Sequence, residues 1–189
     1  MSPSFKVGAG LYVLLLLPPL IHLLEKWMVT HMLLQMPLLI LAGALMGKSL
    51  VRRFSKFFTD WNANGIPGIL LVYFISMYWM IPRAMDEAIL LGRVEIFKFI
   101  SLPFLVGVLL YDSWPKLGDL AKSFLAFNYI PMFGIMAWLY IDSPIPICNN
   151  YLETEQKLLG WGFFIITIFM LLYVLRQAFV DTRDEETLA

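Results

Sequence analysis

Long apolar blocks separated by short polar stretches constrain this chain more than any other feature. A transmembrane helix needs about 20 mainly apolar residues, and six blocks approach or reach that length: 7–24, 27–46, 66–81, 96–111, 120–141 and 158–179. Only 15% of the residues are charged, whereas a soluble domain has about a quarter. We therefore predict an all-α polytopic membrane protein in which residues 1–189 form a single six-helix transmembrane domain, with an acidic C-terminal tail at 180–189.

The first block contains Pro18-Pro19, which predicts a bend or a break. A basic start followed by an apolar core also fits a signal peptide. We expect the block to be kept as a helix, because no small-residue cleavage site follows it. The next block begins within a few residues, so the two are predicted to form a tight hairpin.

The second block ends in features that predict contact with a helix and with a membrane surface. Gly43 and Gly47 are spaced by four residues, which allows a neighbouring helix to approach closely. In the stretch 48–58 cations alternate with aromatic residues, a pattern typical of an amphipathic segment at an anionic membrane surface.

Six spans place both termini on one side of the membrane, and the Lys/Arg bias predicts which side. One side receives most of the cations: Lys6, Lys48, Arg52, Arg53, Lys56, Lys116, Lys122, Arg176 and Arg183. The other side receives fewer: Lys26, Arg83, Arg93, Lys98 and Lys157. We therefore expect cytoplasmic termini.

The stretch 21–36, between the first two spans, holds the only two histidines, His22 and His31. On a helix Met28, His31 and Met32 share one stripe. Imidazole with thioether suits copper, so a hairpin could give a copper site with His22 and His31 as ligands and Met28 or Met32 as a soft ligand. Alternatively, the methionines only pack and each histidine only forms hydrogen bonds.

Further side chains are candidates for orienting those ligands. Glu25 and Gln35 belong to the same stretch, and Arg83 and Asp86 follow the third span on the same predicted side. We expect these four to lie in the second coordination shell, although Arg83 also fits an interfacial belt. Haem is the other candidate cofactor: His22 or His31 with a methionine could supply axial ligands.

Composition and motifs argue against several other classes of protein. The net charge is zero, so nothing indicates nucleic acid. The single cysteine, Cys148, excludes an intrachain disulfide, and we predict a free thiol. Metalloprotease, serine hydrolase, phosphate-loop and dinucleotide motifs are absent from the sequence, so we expect a non-enzymatic protein.

The segment from Glu25 to Leu39, EKWMVTHMLLQMPLL, resembles the CtaG family of bacterial cytochrome c oxidase assembly factors over about residues 20–47. That resemblance implies copper delivery to haem–copper oxidases, with His31, and less directly His22, Met32 and Gln35, as matching positions. This chain has Met36 where the family often has a second histidine.

Two functions follow as expectations. The first is a factor that positions copper on the periplasmic face of a bacterial inner membrane for an oxidase or another copper enzyme, such as a monooxygenase. The second is an accessory subunit of a larger membrane oxidoreductase, with no cofactor of its own. A small transporter is the third possibility. The expected partners are membrane lipid and integral membrane oxidase or monooxygenase subunits.

Overall fold

The computed structural model describes residues 2–186, without the side chains of 177, 178 and 180–186. That part of the chain is helical and contains no strand. Its helices are α1 Pro3–Leu15, α2 Pro18–Glu25, α3 Met28–Arg53, α4 Ser55–Trp61, α5 Ile66–Met80, α6 Pro82–Leu90, α7 Gly92–Lys116, α8 Asp119–Asp142 and α9 Glu153–Glu186. The predicted all-α class is confirmed.

Four of these helices, α3, α7, α8 and α9, are long and apolar enough to cross a membrane. The number rises to six if α1 with α2, and α4 with α5, each count as one bent span. The chain is therefore compatible with a membrane protein of four to six spans.

The predicted blocks correspond to helices, but their bounds need correction. The first block, 7–24, is two helices bent by 72°, because Leu17 is extended before Pro18 and proline disfavours a helical residue before it. The blocks 27–46 and 96–111 lie within the longer helices α3 and α7. Helix α9 continues to Glu186, so most of the predicted tail is helical, and residues 187–189 lie outside the described part.

The predicted surface segment 48–58 is divided between two helices. Helix α3 continues to Arg53, and α4 begins at Ser55. Helix α4 buries Phe58 and exposes Phe57, and it meets α5 at about a right angle. Gly65, with φ +76°, makes the turn between them, a conformation that glycine adopts without strain.

Helices α3 and α7 pack backbone to backbone through glycines. A Cβ on Gly43 would lie 1.9 Å from the carbonyl oxygen of Pro103. A Cβ on Gly107 would lie 2.3 Å from the carbonyl oxygen of Ile40. The close helix contact predicted from Gly43 is therefore confirmed, and its partner is α7.

Both of these helices contain a wide, π-helical turn next to a proline. In α3 the turn spans His31–Gln35 and closes with the Met36 N–H donating to the His31 carbonyl. In α7 it spans Ser101–Gly107 around Pro103. Proline has no N–H to donate, so the Phe99 carbonyl is left without its usual partner and instead accepts from the Tyr12 hydroxyl at 3.0 Å. Such turns are frequent at functional sites.

The bundle has two polar ends. At the end called here the network end, α2 finishes, α3 and α7 begin, and the loop 143–152 joins α8 to α9. At the opposite end, called here the basic end, α3 and α7 finish and α8 begins. There Asn62 donates to Asp112 at 2.7 Å and Lys116 donates to the same carboxylate at 2.7 Å.

Candidate functional site

A fully buried lysine lies at the network end. Lys98 is 0% exposed in the second turn of α7, and its ammonium group donates to the carboxylate of Glu25. It also lies 3.2 Å from Nε2 of His31 and 3.4 Å from Oε1 of Gln35. The charge of Lys98 is therefore enclosed by one carboxylate and two neutral acceptors.

His31 connects this lysine to the far side of the chain. Its Nδ1 lies 2.8 Å from the hydroxyl of Tyr151, and that hydroxyl donates to the backbone carbonyl of Glu25 at 3.0 Å. An ammonium can only donate, so Nε2 of His31 accepts and Nδ1 carries the proton. The hydrogen bonds then run in one direction: Lys98 to His31, His31 to Tyr151, and Tyr151 back to Glu25.

These five residues, called here the lysine network, come from four parts of the fold: Glu25 from the end of α2, His31 and Gln35 from α3, Lys98 from α7 and Tyr151 from the loop 143–152. Gln35 closes the group by donating to Glu25 at 3.3 Å. Among the described residues no buried side-chain polar atom lacks a partner. The network therefore joins the α8/α9 hairpin to α2, α3 and α7.

The wide turn in α3 presents two of these side chains. His31 and Gln35 bracket the turn, and both are 0% exposed. The side chains of the predicted stripe are buried, since Met28 and Met32 are 0% and 5% exposed. Both methionines belong to the hydrophobic core.

The two histidines lie in different surroundings. His22 is exposed on α2, whereas the ring of His31 is enclosed with both nitrogens in hydrogen-bonding contacts. The two rings were expected to meet as ligands of one ion. The hairpin instead places Glu25 against Lys98, which also contacts His31, and leaves His22 exposed.

The four residues that were expected to orient the metal ligands lie in different places. Glu25 and Gln35 touch the side chains around His31. Arg83 instead pairs with Glu87 at 2.9 Å on an exposed surface, one helical turn away on α6. Asp86 is buried and accepts from the backbone N–H of Asn149 at 2.8 Å, so it holds the loop that carries Tyr151.

The loop 143–152 is fastened by further polar contacts. Gln156 accepts from the backbone N–H of Ile147 at 2.9 Å and donates to the carbonyl of Tyr151 at 2.9 Å. Cys148 is a fully buried thiol. Burial, with the charge of Asp86, raises its pKa to about 11, and burial beside Glu25 raises the pKa of Tyr151.

This arrangement does not fit a copper ion as it stands. A copper ligand needs a free nitrogen or thioether lone pair directed at the ion, and both nitrogens of His31 are engaged. A cation already lies among the acceptors, the ammonium group of Lys98. Within the described residues no group of three His, Cys, Asp or Glu side chains could hold a metal. His31 as it stands does not fit an axial haem ligand either, because both of its ring nitrogens are engaged in hydrogen bonds.

Sequence reasoning missed Lys98 and Tyr151. Lys98 was treated as a cation outside the membrane, although it lies two residues inside the predicted span 96–111. An ionisable residue inside an apolar span is itself a signal of function. Tyr151 follows Asn149 and Asn150 in an irregular loop, and no spacing rule links it to His31, 120 residues earlier.

Comparison with models of protein families, with curated proteins and with solved structures gives no match for this chain.

Proposed function

We propose that this protein is an integral membrane factor of six spans that acts on a partner membrane protein and binds no metal of its own. The bent pairs α1/α2 and α4/α5 each make one span, both termini are cytoplasmic, and the network end is periplasmic. The partner is a haem–copper oxidase or a related membrane oxidoreductase, during its assembly or as a stable complex.

The proposal that no metal is bound rests on the position of Lys98. Its ammonium group occupies the point to which Glu25, His31 and Gln35 direct their acceptor atoms. A copper ion at that point would lie against a like charge. The lysine thus supplies internally the positive charge that a metal would supply, and it keeps the network assembled without one.

The class of partner is supported by the resemblance of residues 20–47 to the CtaG family. Two of its matching positions, His31 and Gln35, converge with Glu25 on Lys98, whereas His22 is exposed. Copper positioning, another function expected from the sequence, needs the imidazole of His22 and a thioether from Met28 or Met32. The function proposed here needs neither.

Complementation can separate the two functions. Cells that lack this chain should show reduced haem–copper oxidase activity in isolated membranes, and the wild-type chain should restore it. Met28→Leu and Met32→Leu conserve volume while removing the thioethers, and His22→Ala removes an exposed ring. All three variants should restore activity as the wild type does, and added copper should not replace the chain.

Disruption of the lysine network should have the opposite effect. Lys98→Met should fail to restore oxidase activity, whereas Lys157→Met, at an exposed pair on α9, should succeed. Loss of activity in His22→Ala and in either methionine variant, with rescue by copper, would instead establish copper positioning. Unchanged oxidase activity in cells lacking the chain would remove the oxidase as the partner.

A further inference from the structure

A large cavity separates the α8/α9 hairpin from the rest of the bundle. Its volume is about 1090 Å³. One wall consists of α3, α5 and α7, and the other of α8 and α9. The lining is mainly aliphatic and aromatic, and it includes Met36, Val106, Phe133, Phe163 and Phe169. The lysine network joins the hairpin to the bundle at one end, and Tyr73 on α5 donates to Asn128 on α8 at 3.4 Å.

The charged groups that line this cavity lie at one end, whereas the uncharged polar side chains of Ser76 and Tyr129 line it elsewhere. Asp119, Lys122 and Ser123 line it where α8 begins, at the basic end, beside Trp114. Towards the network end the lining is apolar around Met32, and the indole N–H of Trp79 already donates to Ser101 at 3.0 Å. One charged end and a long apolar body match the chemistry of an amphiphile.

The length of the cavity fits one leaflet of a bilayer. Along α7 it extends from Leu102 to Trp114, which at 1.5 Å per residue is about 18 Å. Half of a hydrocarbon core is about 15 Å. A hydrocarbon chain that entered from the headgroup region would therefore be accommodated over most of its length.

A cavity of about 1090 Å³ is large enough for a hydrocarbon chain, and a flexible chain can follow its irregular apolar walls.

The positive charge of Lys122 indicates that the occupant is anionic. Its ammonium group lies 5.9 Å from the ring centroid of Trp114. The carboxylate of Asp119, 3.7 Å away, is fully exposed and forms only a weak surface pair with it. At the same end of the bundle the cations Lys48, Arg52, Arg53 and Lys56 outnumber the carboxylates Asp60 and Asp112, so the net potential there is positive. Lysine with tryptophan at headgroup level is typical of an anionic membrane surface.

We infer that this cavity binds the acyl chain of an anionic phospholipid, whose phosphate lies beside Lys122. The hydrocarbon chain fills the space between the two walls and completes the packing of the α8/α9 hairpin. This site is separate from the lysine network, because none of the five network residues lines the cavity.

A photocrosslinking experiment on the full chain in nanodiscs tests the site. The probe is phosphatidylglycerol with a diazirine at the end of one acyl chain. Peptides of α7 and α9 that line the cavity should be labelled. Ala126→Phe fills the cavity from α8 and should reduce this labelling at least tenfold. Ile135→Phe, on an exposed part of the same helix, should leave it unchanged.

The headgroup is tested by competition. One lysine near an anionic surface contributes about 1 kcal/mol, so Lys122→Gln should weaken phosphatidylglycerol retention about fivefold, and Lys157→Gln should not. Phosphatidylcholine should be retained less well than phosphatidylglycerol by the wild type. Labelling spread evenly over exposed faces and insensitive to Ala126→Phe, equal retention of the two lipids, or a copurified polypeptide crosslinked in the cavity would each overturn the inference.

Discussion

Replacement of Lys98 by methionine should destabilise the protein more than any substitution of a surface lysine. Methionine fills much of the same volume but leaves the carboxylate of Glu25, whose side chain is only 12% exposed, without its cation. It also leaves Nε2 of His31 without a donor. Breaking a buried ion pair by removing one partner costs about 3–5 kcal/mol. For a chain of 189 residues, each kcal/mol lowers Tm by about 2–4 °C, so Tm should fall by about 6–20 °C.

Cys148 supplies the assay for this prediction. It is the only cysteine and is fully buried, so a thiol-reactive fluorophore should react with it only as the protein unfolds. Tm is read from the rise in fluorescence on heating the detergent-solubilised protein at pH 7.5. Lys157→Met, at an exposed pair, is the matched control and should leave Tm within about a degree.

The second half of the test is a double-mutant cycle. Glu25→Gln alone leaves the ammonium group of Lys98 without its counter-ion and should also be strongly destabilising. The double variant removes both charges, so it should be at least about 2 kcal/mol more stable than the sum of the single effects predicts. A cost below about 1 kcal/mol for Lys98→Met, or additive effects in the cycle, would refute the idea that this pair organises the network end.

Three further predictions concern the loop, the α3/α7 contact and the thiol. Asp86→Ala removes the acceptor that holds the loop 143–152 and should cost about 2–3 kcal/mol of unfolding free energy. The control Glu87→Ala removes a partly exposed partner of Arg83 and should change Tm far less; equal effects of the two would contradict this role. Gly43→Ala places a methyl group 1.9 Å from a backbone oxygen and should prevent stable folding or lower Tm sharply. Gly10→Ala, with no neighbour within 4 Å, should be neutral or stabilising. A larger loss of stability in Gly10→Ala than in Gly43→Ala would disprove the close contact. The pKa of the Cys148 thiol rises from 9.0 to about 11 on folding, so at pH 8 ionisation alone should slow its alkylation about 100-fold relative to unfolded chain. Because the unfolded thiol ionises first, stability should fall as pH rises from about 9 to 11, and Cys148→Ala should weaken that fall; an unaltered profile would show that the thiol does not titrate differently in the two states.

The sequence was sufficient for those parts of the fold that depend on local pattern. Apolar block length predicted the helices, Pro18 predicted the break between α1 and α2, and the spacing of Gly43 and Gly47 predicted a close contact. The spacing of Met28, His31 and Met32 predicted that they share one stripe of a helix. Each of these properties is set by residues within a few turns of one another, so a single segment carries the whole signal.

The site could be predicted only in part, because its contacts are distant in sequence. Glu25, His31 and Gln35 were identified, but they were expected to surround a metal ion. The cation that they do surround, Lys98, is 73 residues from Glu25. No pattern within either segment specifies that pairing, which depends on how α7, packed on α3 through glycines, lies against the end of α2. The exposure of His22 likewise depends on the 72° bend before it, whose direction a proline pair does not specify.

The occupant of the space between Glu25, His31 and Gln35 is the most direct test of this account. Crystals of the full chain grown with copper, measured at wavelengths on either side of the copper absorption edge, would reveal it. We predict that the density at this point is continuous with the side chain of Lys98 and gives no anomalous signal. An anomalous peak there, with His31 directed at it and Lys98 turned away, would contradict the claim that the protein supplies this charge itself.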